Sequence, residues 1–233
     1  MLPAQAAGPF DDPAYFFEPW WPGTRVIAFV GDGRVRLQAA ELSDVLAAFP
    51  ELAGLAARIG APDTILDGVV LVLDGAGRPD PALLRRRLED PAEHAGRPAF
   101  VANDVLAASG RRLTRLSFAA RREHLASLLR TADWCAVSRG YPGEGRTLAT
   151  AAAELGFRWL SAHRLDAPYR AGPAGDAWLR VPTREGAASM AWPGGGRGAG
   201  SADWRGADVA DAGFAERRLP PIVAVFRRLP LGD

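Results

Sequence analysis

Apolar and polar positions alternate along this chain in short runs, most of which have the two-residue period of β-strands. The run 64–73 is almost continuously apolar, which is typical of a central strand covered on both faces. Two shorter runs, 24–30 and 34–38, flank Gly31-Asp32-Gly33, and this spacing and turn chemistry predict a β-hairpin. Further strands are predicted at 13–17, 98–106, 134–137, 157–162, 177–181 and 221–228.

Apolar residues recur with helical spacing in five stretches, at 42–48, 52–59, 81–88, 117–129 and 146–155. Ser43, Asp80 and Ser117 are the expected N-caps, Pro50 separates the first two helices, and Gly156 ends the last one. The three arginines at 85–87 are expected to face outward. The pattern therefore predicts a mixture of strands and helices.

Composition divides the chain into parts. Residues 1–12 are rich in Ala, Pro, Gly and Asp and are expected to form a loose leader. Residues 13–182 carry the strand and helix patterns and are expected to form one domain. Residues 183–218 are rich in Gly and Ala and predict a flexible linker, and residues 219–233 predict a C-terminal strand and tail.

The sequence contains no lysine, so all 28 residues counted as Lys or Arg are arginine. No side chain can therefore form a lysyl phosphoramidate or a lysine Schiff base. The formal net charge of +1 excludes a polycation that would coat nucleic acid non-specifically. Cys135 is the single cysteine, so an internal disulfide is impossible, and no apolar run is long enough to cross a membrane. A cytoplasmic protein is expected.

A turn rich in aromatic residues precedes the hairpin and reads Glu18-Pro19-Trp20-Trp21-Pro22-Gly23-Thr24-Arg25. It resembles the nucleophile motif of ATP-dependent DNA ligases, Glu-x-Lys-x-Asp-Gly-x-Arg, with Trp20 at the lysine position and Pro22 at the aspartate position. Other short motifs follow in the family's order, and they are Phe49-Pro50-Glu51-Leu52, Leu66-Asp67-Gly68, Asn103-Asp104-Val105-Leu106 and Trp178-Leu179-Arg180. Over roughly 15–182 the chain thus resembles the adenylation domain of the bacterial end-joining ligases.

The resemblance implies an α+β fold, the ATP-grasp-like nucleotidyltransferase domain of ligases, with twisted antiparallel sheets flanked by helices. The family's OB-fold domain is not expected, because the tail after this region is short and rich in glycine. It also implies ATP and Mg²⁺ as the family's cofactors. Several positions that serve them in the family have changed, and these are Pro22, Ala40, Val69, Asn103, Arg158, His163 and Pro182. Nucleotidyl transfer needs a nucleophile, metal-binding carboxylates and cations for the pyrophosphate. We therefore expect no catalytic residue, no cofactor and no metal site.

Two tryptophans are candidates for the side chains that fill the space of the nucleotide. Trp20 stands for the lysine, and Trp159 stands for a glycine where the backbone should approach the ligand. We expect both to fill the former nucleotide cleft as hydrophobic core, and the alternative places them on the surface together with Trp21. Arg25, Arg158 and Arg180 are the candidates for a residual nucleotide- or phosphate-binding site. His163, at the second lysine position, is expected to be a hydrogen-bonded strand residue rather than a base.

The favoured interpretation is a degenerate, non-catalytic ligase-like protein in DNA repair or end joining. It would bind DNA or a partner protein, with its outer arginine clusters facing phosphates. One alternative is an active polynucleotide ligase or nucleotidyltransferase with a displaced nucleophile. Another is a purely structural interaction module.

Overall fold

Two β-sheets with helices packed against them make up the described part of the chain, residues 1–39 and 44–184 of a computed structural model. The strands are β1 Ala4–Gln5, β2 Asp12–Pro19, β3 Thr24–Gly31, β4 Arg34–Gln38, β5 Thr64–Leu73, β6 Arg97–Ala108, β7 Arg111–Arg112, β8 Cys135–Val137, β9 Tyr141–Gly143, β10 Trp159–Arg164 and β11 Trp178–Pro182. The α-helices are α1 Pro81–Glu89, α2 Phe118–Leu128 and α3 Gly145–Glu154. Short 3₁₀ helices span Leu46–Ala48, Pro50–Arg58 and Gly175–Ala177.

The larger sheet has the strand order β4-β3-β5-β6-β7, and β8 adds to β6 in parallel. β5 lies between β3 and β6 and is antiparallel to both, which confirms the central strand predicted at 64–73. The β3–β4 hairpin is also confirmed. Its two-residue loop is Asp32-Gly33, with φ values of 49° and 70°, and glycine and aspartate tolerate this left-handed backbone region.

The smaller sheet has the order β1-β11-β10-β2-β9. β10 pairs antiparallel with both β2 and β11, whereas β1 adds to the edge in parallel with β11. Leu2 also forms a bridge with Pro173. The expectation of a loose leader at 1–12 is therefore wrong, because these residues form backbone hydrogen bonds with the last strand of the domain.

Two apolar cores hold the sheets in place. The first packs β3, β4, β5 and β6 against the 3₁₀ helix Pro50–Arg58 and α2. The second packs the smaller sheet against α3 and includes Leu71 and Leu73 of β5. Because β5 contributes to both cores, the second core ties the two sheets together. No helix in the described part of the chain is long and apolar enough to cross a membrane.

The predicted helix caps are confirmed, whereas the predicted outward face of α1 is partly wrong. Asp80 accepts hydrogen bonds from the first turn of α1, and Ser117 accepts one from the first turn of α2, as predicted. The prediction that Arg87 faces outward is wrong, because this side chain is fully buried and its Nη2 donates to Glu51 at 2.7 Å. The helix predicted at 52–59 is a 3₁₀ helix. The N-cap at Ser43 lies outside the described residues, as do the linker and C-terminal strand beyond residue 184.

Candidate functional site at the stacked tryptophans

Four aromatic rings stack in a continuous column, in the order Phe118, His163, Trp178 and Trp20. Their centroids are 4.4, 5.2 and 5.9 Å apart, and their planes differ by 7°, 14° and 21°. Strand register explains the centre of this ring column, because His163 of β10 is the direct cross-strand partner of Trp178 of β11. The ring column joins the positions that the resemblance assigned to the nucleophile, Trp20, and to the second lysine, His163.

The guanidinium of Arg180 lies between two tryptophan rings, 5.0 Å from the centroid of Trp20 and 4.2 Å from that of Trp159. The backbone N–H of Trp20 donates to the carbonyl of Trp159 at 3.0 Å, which fixes the pair. Both tryptophans are half-buried, so they hold a cation at the end of the ring column rather than forming hydrophobic core. The surface position considered for Trp21 is wrong, since this residue is 2% exposed. Its Nε1–H donates to Ser138 Oγ at 3.0 Å.

Arg25 binds Asp67 through two guanidinium nitrogens. Nε donates to Asp67 Oδ1 at 2.8 Å, Nη2 donates to Oδ2 at 2.5 Å, and the Tyr169 hydroxyl donates to Oδ2 at 2.9 Å. Burial alone would raise the pKa of Asp67, but the charge of Arg25 and these hydrogen bonds outweigh burial and hold the pKa below its usual range. The Arg25 guanidinium also lies 4.6 Å from the centroid of Trp178, so it links the larger sheet to the ring column.

Asp104 is the cross-strand partner of Asp67 in the β5–β6 pairing and has an arginine of its own. Nε of Arg121 donates to the Asp104 carboxylate at 2.9 Å and Nη2 at 2.8 Å. Nη1 of Arg121 donates to the backbone carbonyls of Leu116 and Ala167. A buried charge needs a partner of opposite sign, and here each carboxylate has one. Motif matching found Asp104 but not Arg121 as its partner, because the two are brought together only by the packing of α2 on β6.

Glu18 is fully buried near the start of the ring column. Its Oε1 accepts a hydrogen bond from Asn103 Nδ2 at 3.1 Å and lies 3.4 Å from His163 Nε2. Its Oε2 lies 3.6 Å from Arg122 Nη1. Arg122 also donates to the backbone carbonyls of Asn103 and Ser138. The changed positions Asn103 and His163 therefore meet around one buried carboxylate.

The model of the ATP dependent DNA ligase domain family matches residues 4–141, which is more than half of the chain. The chain belongs to this family. It is 30% identical over 164 residues to the multifunctional non-homologous end joining DNA repair protein LigD of Mycobacterium tuberculosis, a match that covers 70% of this chain and 21% of LigD. It is 31% identical over 183 residues to DNA ligase C1 of Mycolicibacterium smegmatis, covering 74% of this chain and 53% of that protein.

Solved structures confirm the expected ligase-type fold. A mycobacterial DNA ligase D complexed with ATP and MES matches with a TM-score of 0.65 and 27% identity. That match covers 78% of this chain and 59% of the other. A Lig E DNA ligase matches with a TM-score of 0.51 at 17% identity, which supports the fold alone. The chain thus spans only part of the length of these relatives.

In this ligase-family chain, Ser161 and His163 support the ring column, and their contacts differ from those of a catalytic triad. Ser161 Oγ lies 2.9 Å from His163 Nε2 and accepts a hydrogen bond from Trp178 Nε1–H at 2.5 Å. Glu18 approaches the same nitrogen of His163, whereas a nucleophile and its orienting carboxylate bind opposite nitrogens of the base. Ser161 is also buried. The prediction that His163 is a hydrogen-bonded strand residue is confirmed.

The other positions that differ from the family's motifs lie in the strands and turns that carry this site. Val69 is the cross-strand partner of Arg25, and Pro182 is that of Trp159. Pro22 is buried in the turn before β3, and the carbonyl of Arg158 accepts a hydrogen bond from Thr183 at 2.9 Å. Ala40 lies outside the described residues. Within the described ranges, no three His, Cys, Asp or Glu residues are grouped so that they could hold a metal ion.

Proposed function

We propose that this chain is a non-catalytic member of the DNA ligase family that acts in DNA repair or end joining by binding DNA or a partner protein. One observation carries the proposal. The family's nucleophile position holds Trp20, which stacks on Trp178 and holds Arg180, and the sequence has no lysine that could replace it. An indole nitrogen is not a nucleophile at neutral pH, and a guanidinium stays protonated in proteins.

The side chains of the site do not fit a magnesium nucleotide. Both oxygens of Asp67 accept hydrogen bonds from Arg25, and Glu18 is enclosed by Asn103, His163 and Arg122. The ring column takes up the space beside the position of the nucleophile. Val69 replaces the carboxylate that follows Asp67-Gly68 in the family. These features support a site that has lost its cofactors.

The proposed role in DNA repair rests on the similarity of this chain to LigD. LigD is a multifunctional non-homologous end joining DNA repair protein, and this chain matches 21% of its length. A chain that retains this domain without its nucleophile can still contribute a binding surface. Guanidinium groups suit phosphate or carboxylate partners, because they present several donors in a fixed plane.

The decisive experiment incubates the full chain with labelled ATP and Mg²⁺, with an intact DNA ligase as the positive control. We expect no covalently labelled band and no thermal shift with ATP. A band would overturn the proposal and establish the displaced-nucleophile alternative. The Ser161→Ala and His163→Ala variants would then test whether either of these two side chains is the nucleophile. Tight ATP binding that is lost in Arg25→Ala would also contradict the proposal.

A second measurement separates DNA binding from a purely structural role. Binding of the full chain to nicked and blunt duplexes is followed across a salt series. Phosphate contacts release counterions, so the logarithm of the binding constant for DNA should fall linearly with the logarithm of salt concentration. Absence of duplex binding at low salt would leave a protein partner as the remaining ligand class.

A further inference from the structure

Three separate stretches of chain, residues 1–2, 111–116 and 167–174, are hydrogen-bonded into one surface. The backbone N–H of Tyr169 donates to the carbonyl of Thr114 at 2.8 Å. Leu2 donates to Gly172 at 2.8 Å and accepts from Ala174 at 2.9 Å. Arg121 ties two of these stretches together, since its Nη1 donates to the carbonyls of Leu116 and Ala167. The relative positions of the three stretches are therefore fixed by the fold.

This surface carries positive charge without any carboxylate of its own. Its arginines are Arg111, Arg112, Arg115 and Arg170, and all four are exposed. None of them forms an ion pair with an acidic residue in the described part of the chain. The three stretches contain no Asp or Glu. Elsewhere, Arg85 is paired with Glu89 and half-buried Arg164 with Asp166, whereas Arg34 and Arg97 are exposed and form no ion pair within 1–39 and 44–184.

The same surface presents two aliphatic side chains to solvent. Leu2 is 47% exposed and Leu116 is 37% exposed. Among the large hydrophobic residues within 1–39 and 44–184, these two are the exposed ones. A single exposed leucine needs no explanation, but two beside four unpaired arginines form a composite surface. Arginine with adjoining apolar groups is typical of protein–protein interfaces.

We propose that this arginine–leucine surface, defined by Leu2, Arg111, Arg112, Arg115, Leu116 and Arg170, binds an acidic protein segment that carries apolar side chains. The inference deepens the proposed function and rests on it, because it names the partner class of a binding protein. Carboxylates complement the guanidinium groups by charge. Apolar side chains on the partner would remove the two leucines from water, which a phosphate backbone would not do.

Three synthetic probes test the proposal against the full chain in fluorescence anisotropy titrations. They are a labelled peptide of alternating Glu and Leu, a Glu–Ser peptide of the same length and charge, and a blunt DNA duplex. We expect the Glu–Leu peptide to bind at least about fivefold more tightly than the Glu–Ser peptide, because burial of each leucine adds to affinity. The charge-reversed variant R112E/R115E should weaken Glu–Leu binding about tenfold or more.

Matched variants separate the charge from the apolar contribution. R85E/R86E has the same change in net charge on α1 and should leave binding unchanged. Leu116→Ser should weaken the Glu–Leu peptide but not the Glu–Ser peptide, and Leu2→Ser gives an independent check if the first variant unfolds. Circular dichroism and thermal melts verify that each variant is folded.

Four results would overturn the inference. These are equal binding of the two peptides, insensitivity to both leucine substitutions, absence of peptide binding, and duplex binding that is tighter than peptide binding and depends on Arg112 and Arg115. The labelled-ATP assay does not involve this surface. A negative peptide result therefore leaves the non-catalytic assignment intact, and a labelled band would leave the peptide result intact.

Discussion

At the scale of single residues, the site is governed by buried charges that each have one opposite partner. Asp67, paired with Arg25, and Asp104, paired with Arg121, are neighbours on the larger sheet, and Glu18 lies near Arg122. Removing one member of such a pair leaves the other without its counter-charge, which costs more than the pair itself contributes. Arg25 and Asp67 of the family motifs thus have a structural role here.

Asp67→Asn should destabilise the protein by about 3 kcal/mol at neutral pH, since it removes the charge that Arg25 binds. The folded-state pKa of Asp67 lies below its unfolded value, so the pair's contribution is complete above the unfolded pKa and is lost as pH falls through the folded pKa. Urea unfolding at a series of pH values should show the variant and wild type converging below about pH 4. The exposed Asp32→Asn is the control, and a difference that does not change with pH would contradict this account.

Cys135 provides a test of the first core. It is 1% exposed, and burial raises the pKa of its thiol to about 12. The thiolate is the reactive form, so the native protein should react with a thiol reagent far more slowly than the denatured chain. Rapid reaction under native conditions would show that β8 is not held against β6 as described.

At the scale of elements, the turn between β2 and β3 packs directly against the backbone of β5 at Gly23. A Cβ at Gly23 would meet the carbonyl oxygen of Val70 at 2.3 Å and the side chains of Val69 and Leu71 at 2.5 and 2.6 Å. This close contact explains why glycine suits the position. Packing of the turn against β5 requires it, independently of any ligand.

Gly23→Ala should therefore destabilise the fold by about 3 kcal/mol, because β5 would have to move away from the turn. Gly75→Ala is the matched control, since a Cβ there meets no atom within 4 Å. Chemical denaturation of both variants measures the difference. Equal stability of the two would mean that the turn can shift without cost.

At the scale of the whole molecule, the ring column and Arg25 connect the smaller sheet to the larger one. Trp178 is the central member, since it stacks on both His163 and Trp20 and lies under the guanidinium of Arg25. Its Nε1–H also binds Ser161. Through its contacts to β10, β3 and the turn after β2, this side chain links the two sheets outside the second core.

Trp178→Ala should cost about 4 kcal/mol of unfolding free energy, as expected for a buried tryptophan replaced by alanine. Trp178→Phe keeps a stacked ring but loses the hydrogen bond to Ser161, so its cost should be clearly smaller. Urea unfolding gives the energies, and near-ultraviolet circular dichroism reports the stacked rings. A cost near zero for the alanine variant would show that the ring column does not connect the sheets.

The sequence by itself determined the features that depend on neighbouring residues. The β3–β4 hairpin follows from Asp32-Gly33 between two apolar runs, and the caps at Asp80 and Ser117 follow from their place before helical patterns. The family followed from short motifs in a fixed order, and the absence of lysine needed only counting.

Only the tertiary structure decided which distant residues meet. Strand register placed His163 opposite Trp178, and the packing of α2 brought Arg121 to Asp104. The packing of α1 against β5 buried Arg87, and strand pairing attached the first residues to β11. Such contacts join positions far apart in the chain, so local patterns carry no signal for them. The stacking of Trp20 on Trp178 is therefore a product of the fold.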